Sequence, residues 1–301
     1  MKILLFGAQG QLGRQLQRSL SVQADVVELS RASTGACGDL ADRAGLARTV
    51  RDLLPDVIVN AAAYTAVDRA ESEPDLAFAI NRDACATLAI EAQRIGAWLV
   101  HYSTEYVFDG GGSQAWRESD PTAPLNVYGR SKLAGEQEIA RHCERHLILR
   151  TSWLYDCVGQ NFLKAILGAA LVRDRLEVVN DQWGAATRAT WVADVTASLV
   201  PRLQAQHAGI YHLAAGGQAS RHAYAVYILQ CARQEGLAVR VPADQVHAVS
   251  TVPKPGVAAR PANSRMDSSL LCEQFGITLP PWEHGVEAVV RELAAGYMLP
   301  R

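Results

Sequence analysis

Residues 2–20 read KILLFGAQGQLGRQLQRSL. The unbroken apolar run Ile3 to Phe6 suits a strand covered on both faces, as in a parallel sheet. Leu12, Leu16 and Leu20 recur at spacing four, which marks one face of a helix. Between strand and helix stand Gly7, Gly10 and Gly13, three apart. Glycine at such a turn permits positive φ and close backbone approach, and a helix N-terminus offers free N–H groups to an anion. The spacing differs from G-x-G-x-x-G, but tight turn, phosphate approach and close helix packing need the same residue type. Alone, a glycine-rich turn that binds nothing would look the same. Its place at the first strand–helix junction of an alternating chain selects a dinucleotide loop, with Gly7, Gly10, Gln11, Leu12 and Gly13 as its expected contacts.

The alternation continues outward from that loop. DVVEL, PDVIVNAA, AWLVHYS and HLILR have strand character. AGLARTVRDLL, the long PDLAFAINRDACATLAIEAQRIG and a segment from about 127 past Ala140 have helical character. Short connections between them imply right-handed crossovers. The fold class expected is α/β, a Rossmann-like doubly wound parallel sheet with a smaller C-terminal substrate-binding part. Residues 1–150 would bind NAD(P), and 151–301 would mainly bind substrate, with the chain free to cross between the two. In the second part helices are expected at 161–173, 190–204, 221–235 and 283–295, with strands at 176–179 and 210–213. The Pro- and Gly-rich STVPKPGVAARPANS (250–264) cannot form one regular element.

Composition excludes several classes. Of the 301 residues 49% are apolar and 20% charged, ordinary for a globular protein, and a formal charge of -2 with interspersed signs gives no basic stripe for nucleic acid. No segment is apolar for long enough to span a membrane. MKILLFGAQG imitates a signal peptide, but its apolar run is too short and no cleavage region follows. The cysteines at 37, 85, 143, 157, 231 and 272 form no Cys-x-x-Cys pair, which fits reduced thiols in the cytoplasm.

Chemistry-bearing residues fall at strand ends, the ligand side of an open α/β sheet. Asp39 and Leu40 lie in GDL (38–40), and Ala61, Ala62, Ala63 and Thr65 in NAAAYT (60–65). Asp39 suits an adenine amino group, and the small alanines allow close approach, although each alanine alone reads as tight packing. WLVHYS delivers Ser103 and Thr104. Tyr128 and Lys132, in YGRSK, stand one above the other if a helix starts near Asn126. Tyr-x-x-x-Lys alone equally describes a wet helix face. Beside a dinucleotide loop it becomes a proton donor, Tyr128, whose pKa a nearby ammonium would lower. Thr104 would add a hydrogen bond to a carbonyl oxygen. The second strand ends VVELSRAS, where Ser30 and Arg31 replace the acid of an NAD-selective site, so NADPH is expected over NADH.

These motifs resemble the extended short-chain dehydrogenase/reductase superfamily. The blocks PDVIVNAAAYTAVDRAESEP, GAWLVHYSTEYVF, APLNVYGRSKLAGE, LILRTSWLY, VNDQWGAAT and RPANSRM resemble its dTDP-4-dehydrorhamnose reductase family. The resemblance implies reduction of the 4-keto group of dTDP-4-dehydro-L-rhamnose to dTDP-L-rhamnose by NAD(P)H. It makes Thr104, Tyr128 and Lys132 the catalytic set, with Lys132 also holding the nicotinamide ribose. Glu105 and Trp153 would contact the sugar, and Arg260 would reach a diphosphate. Glu105 stands where the family usually has Asp, and Ala186 where it often has Pro. Some members hold magnesium at a dimer interface. The matching positions here are Gln15, Thr190 and Glu292, so no metal is expected, while a homodimer stays open. Two rival readings are a sugar-nucleotide 4,6-dehydratase or epimerase and a non-catalytic regulatory subunit. The single carboxylate of TEY counts against the first, and the complete hydroxyl and amine set against the second.

Overall fold

The first apolar run becomes β1 (Lys2–Phe6), and its side chains divide between two cores. Leu4 and Phe6 pack with Ile58, Leu99 and Ile148, whereas Ile3 and Leu5 pack with Val57, Val59 and Val100. That division is the period-2 alternation of a strand covered on both sides. The computed structural model describes residues 1–296. β2 (Asp25–Leu29), β3 (Val57–Asn60), β4 (Trp98–Thr104) and β5 (His146–Thr151) form the sheet with β1, and Gly209–His212 closes its edge. The order is Gly209–His212, β5, β4, β3, β1, β2, with every pair parallel. From β1 the chain goes first to one side, for β2, and then to the other, for β3. The crevice at their C-terminal ends is where such sheets bind ligands.

Helix Gln11–Leu20 lays Leu12, Leu16 and Leu20 on one face of the sheet, beside helix Ala189–Leu199. Helices Arg43–Leu53, Ala84–Ile95 and Val127–His142 cover the other. The long helix expected from Pro74 is interrupted: Pro74–Phe78 leads into a π-helical turn, Ala79–Asp83, before Ala84–Ile95. Apolar periodicity runs through this stretch and conceals the turn. Asn81, buried within it, accepts the Tyr64 N–H at 2.9 Å and donates to the Tyr64 carbonyl at 3.0 Å and the Ser131 hydroxyl at 2.9 Å. The wide turn therefore ties the loop after β3 to helix Val127–His142.

Helices Phe162–Val172, Arg221–Gln234 and Trp282–Ala294 build a third core with the parallel pair Leu176–Val179 and Val246–Val249. The strand expected at 210–213 extends the main sheet through β5, and the helix expected at 190–204 ends at Leu199, just ahead of Pro201. Of the stretch 250–264, only Asn263–Ser264 forms a strand. No helix of the described residues is long and apolar enough to cross a membrane.

Candidate active site

Gly7 has φ +79°, and a Cβ there would lie 2.7 Å from the Ala62 nitrogen. A Cβ at Gly13 would lie 2.0 Å from the Gly7 carbonyl oxygen, so only glycine lets the helix start this close to the turn. Gly10 is the N-cap, with no side-chain cap and no acid in the first turn. The N–H groups of Gln11, Leu12 and Gly13 are thus open to an anion. This cradle fits a dinucleotide pyrophosphate. The Gln11 side chain turns away, donating to the Leu154 carbonyl at 3.2 Å and accepting from Asn161 at 2.9 Å, and Leu12 points into the core. Ser30 donates its N–H to the Ser33 hydroxyl at 2.8 Å. Arg31 is exposed. Asp39 accepts the Ala41 N–H at 3.0 Å, Leu40 is buried, Ala61, Ala62 and Ala63 are partly buried, and Thr65 is exposed.

At the end of β4 the Thr104 hydroxyl donates to Glu105 Oε2 at 2.9 Å and accepts the Tyr106 N–H at 3.2 Å. Glu105 is only 2% exposed, and burial pushes its carboxyl up to about 7 against the pull of the Thr104 bond. Helix Val127–His142 is capped by Asn126, whose Oδ1 accepts the Gly129 N–H at 2.8 Å. Asn126 also donates to the Ala259 carbonyl at 2.8 Å, which fixes the Arg260 loop beside the helix start. A Cβ at Gly129 would lie 2.3 Å from the Tyr106 carbonyl oxygen, so the first turn rests directly on Tyr106. The Tyr106 and Tyr128 rings meet edge to face at 5.5 Å.

Lys132 is buried, and its ammonium donates to the Tyr102 carbonyl at 2.6 Å and meets His101 Nε2 at 3.0 Å. One of its three N–H donors is left over. The ammonium thus faces the strand, and the lowered phenol expected for Tyr128 is not found. Burial first, then the Glu105 charge, push the Tyr128 pKa up, and the Thr104 hydroxyl pulls it the other way. Burial lowers the Lys132 pKa, and burial together with Lys132 holds His101 well below its usual range, so that His101 is neutral. Asn60 lies 3.2 Å from His101 Nδ1. Sequence reading missed His101, Asn60 and Asn81. A histidine amid the apolar residues of AWLVHYS was the available signal, because a fully buried polar side chain needs a partner.

Trp153 has left-handed backbone (φ +46°), an outlier for a bulky residue and of the kind that collects at functional sites. One face of its ring lies under the Arg221 guanidinium, 3.7 Å from the centroid. Arg260 forks onto Asp68, with Nη2 at 2.9 Å from Oδ2, while Nη1 also reaches the Ala258 carbonyl at 2.7 Å. Farther off, Asp156 accepts both the N–H and the hydroxyl of Thr190, at 2.9 and 2.8 Å. Asp156, Cys157 and Glu292 cluster there, and Arg188 already sits among them, 3.7 Å from Asp156 and paired with Glu292.

A family model described as RmlD substrate binding domain matches residues 1–295. The chain is similar to the dTDP-4-dehydrorhamnose reductases of Salmonella typhimurium, at 47% identity over 97% of this chain and 98% of that one, and of Shigella flexneri, at 46% over the same shares. Among solved structures it resembles that of a dTDP-4-dehydrorhamnose reductase from Clostridium acetobutylicum, with TM-score 0.89 and 31% identity over 97% of this chain and 99% of that one. It also resembles the Bacillus anthracis dTDP-4-dehydrorhamnose reductase in complex with NADP, with TM-score 0.86 and 33% identity over 97% and 98%. A glycine cradle beside a strand-end threonine and a helical tyrosine, matched along nearly its whole length, places this chain in the dTDP-4-dehydrorhamnose reductase family.

Proposed function

We propose that this chain reduces the 4-keto group of dTDP-4-dehydro-L-rhamnose to dTDP-L-rhamnose, with Tyr128 giving the proton. The observation that carries the reading is the gathering of Thr104, Glu105 and Tyr128 at the same C-terminal edge of the sheet as an uncapped glycine cradle. A reduced nicotinamide, when bound, supplies the hydride. The open N–H groups of Gln11, Leu12 and Gly13 hold the pyrophosphate, and the spare N–H of Lys132 holds a ribose hydroxyl. The Tyr128 phenol keeps its proton until negative charge develops on the substrate oxygen, and then donates it. Residues 1–150 chiefly serve the cofactor. Trp153 and Arg260, from the later half, face the sugar nucleotide. The work is cytoplasmic and involves neither metal, nucleic acid nor membrane, and a homodimer is compatible with it. Absorbance of NADPH falling only when the keto-sugar nucleotide is added would support the reading, and no change with fresh substrate would defeat it.

The Thr104 hydroxyl cannot serve Glu105 and a substrate carbonyl at once. Ionised Glu105 holds that hydroxyl and makes Tyr128 a weaker acid; protonated Glu105 releases both effects. kcat/KM should therefore fall as pH rises through about 7, and Glu105→Gln should lack that limb. A flat wild-type profile between about pH 6 and 8, or the same limb in the variant, would count against this role.

NADPH is the preferred cofactor in this reading. Glu28, the nearest acid, takes a hydrogen bond from Gln17 on the first helix, which leaves Ser30 and Arg31 to meet a 2′-phosphate. Arg31→Ala should cut the NADPH preference in kcat/KM by roughly 10- to 150-fold, the worth of one charge-assisted hydrogen bond. Equal use of both cofactors by the wild type would end the claim.

A further inference from the structure

Arg221 is the first residue of helix Arg221–Gln234, an end where the macrodipole disfavours a cation. Its guanidinium lies over the Trp153 ring at 3.7 Å and within 4.9 Å of the Phe162 centroid. No carboxylate among the described residues forms a salt bridge with it, and burial pulls its pKa below the usual guanidinium value. The face of the cation is spent on aromatic rings, which leaves the five N–H donors at the edge of its plane for a ligand. Glu105, Tyr106 and Arg260 all lie within electrostatic reach of it. Glu105 is engaged by Thr104, while Arg260 adds repulsion rather than relief. Only Arg260 has a carboxylate of its own, Asp68. Two guanidinium groups thus repel one another close to Glu105 and Tyr106, and only one of them has a paired acid.

We infer that Arg221 is a second cation for the diphosphate of the nucleotide sugar, gripping it opposite Arg260. The inference rests on the sugar-nucleotide reading given above. A planar fork held flat on an indole presents its edge to paired phosphate oxygens, and an anion of more than one charge relieves the repulsion between the arginines. Two other roles compete: Arg221 as mere cover for the Trp153 ring, and Arg221 as a ligand of a sugar hydroxyl.

Calorimetric titration of wild type, Arg221→Gln and Arg221→Lys with dTDP and with thymidine separates these roles. Arg221→Gln should weaken dTDP by roughly 10- to 150-fold and leave thymidine unchanged, and Arg221→Lys should recover part of the loss. Unchanged dTDP affinity in Arg221→Gln overturns the inference in favour of a sugar contact. Equal weakening of dTDP and thymidine overturns it in favour of packing. Should Arg221→Gln fail to fold, Arg221→Lys decides, because a point charge without the fork must bind dTDP less tightly than wild type while binding thymidine equally. A wild type that binds dTDP no better than thymidine defeats the sugar-nucleotide reading itself.

Discussion

Tyr128→Phe should bind NADPH as the wild type does and turn over about 10²- to 10⁴-fold more slowly. Phenylalanine keeps the ring that packs edge to face on Tyr106 at 5.5 Å, so the first turn of the helix has no reason to move. What is lost is one O–H beside Thr104 and Glu105. Because the phenol pKa is raised, the group is protonated across the neutral range, and its removal deletes a donor rather than a charge. The loss should appear in kcat at saturating substrate, with cofactor affinity read separately by fluorescence titration. Turnover at the wild-type rate would mean that the proton comes from elsewhere.

Arg150→Met should cost about 3–5 kcal/mol of folding stability, as expected when one partner of a buried ion pair is removed. Arg150, on β5, donates to both oxygens of Glu136 at 2.9 and 2.6 Å, and the two side chains are 3% and 2% exposed. Glu136 lies one turn beyond Lys132, so the pair clamps helix Val127–His142 to the sheet. Without Arg150 the Glu136 carboxylate is left in the core without its hydrogen-bonded partner, with only the Lys132 ammonium one turn away as countercharge. Urea denaturation of Arg150→Met and of Arg150→Met/Glu136→Leu measures the effect. The double variant should recover most of the loss, because apolar replacements of similar volume remove both desolvation costs. A single-variant loss below about 1 kcal/mol would show that the pair behaves as a surface bridge.

The parts legible in the sequence were those fixed by local pattern. KILLF, the glycine turn and the leucines at spacing four become β1, the cradle and helix Gln11–Leu20, and the helix expected from about 127 is Val127–His142. Tyr128 and Lys132 do share one helix, as their spacing requires. Where the Lys132 ammonium would point was not legible, since Tyr102 and His101 lie on β4, about thirty residues away along the chain. The π-helical turn at Asn81 was hidden for a similar reason: its partners Tyr64 and Ser131 come from other elements. Arg221 follows a Gly- and Ser-bearing stretch that reads as an ordinary helix start. Its meaning comes from Trp153, whose unusual backbone no propensity scale anticipates.

The strand Gly209–His212 has a consequence for how the chain is made. During synthesis β5 emerges with one edge unpaired, and the strand that will cover it follows only after the intervening segment from Thr151 to Gly209. At about 5–20 residues per second that interval lasts roughly 3–12 s, during which an apolar parallel edge is open to any neighbouring nascent chain. A chain stopped after Gln204 never receives the covering strand, and light scattering should find it in larger assemblies than the full chain.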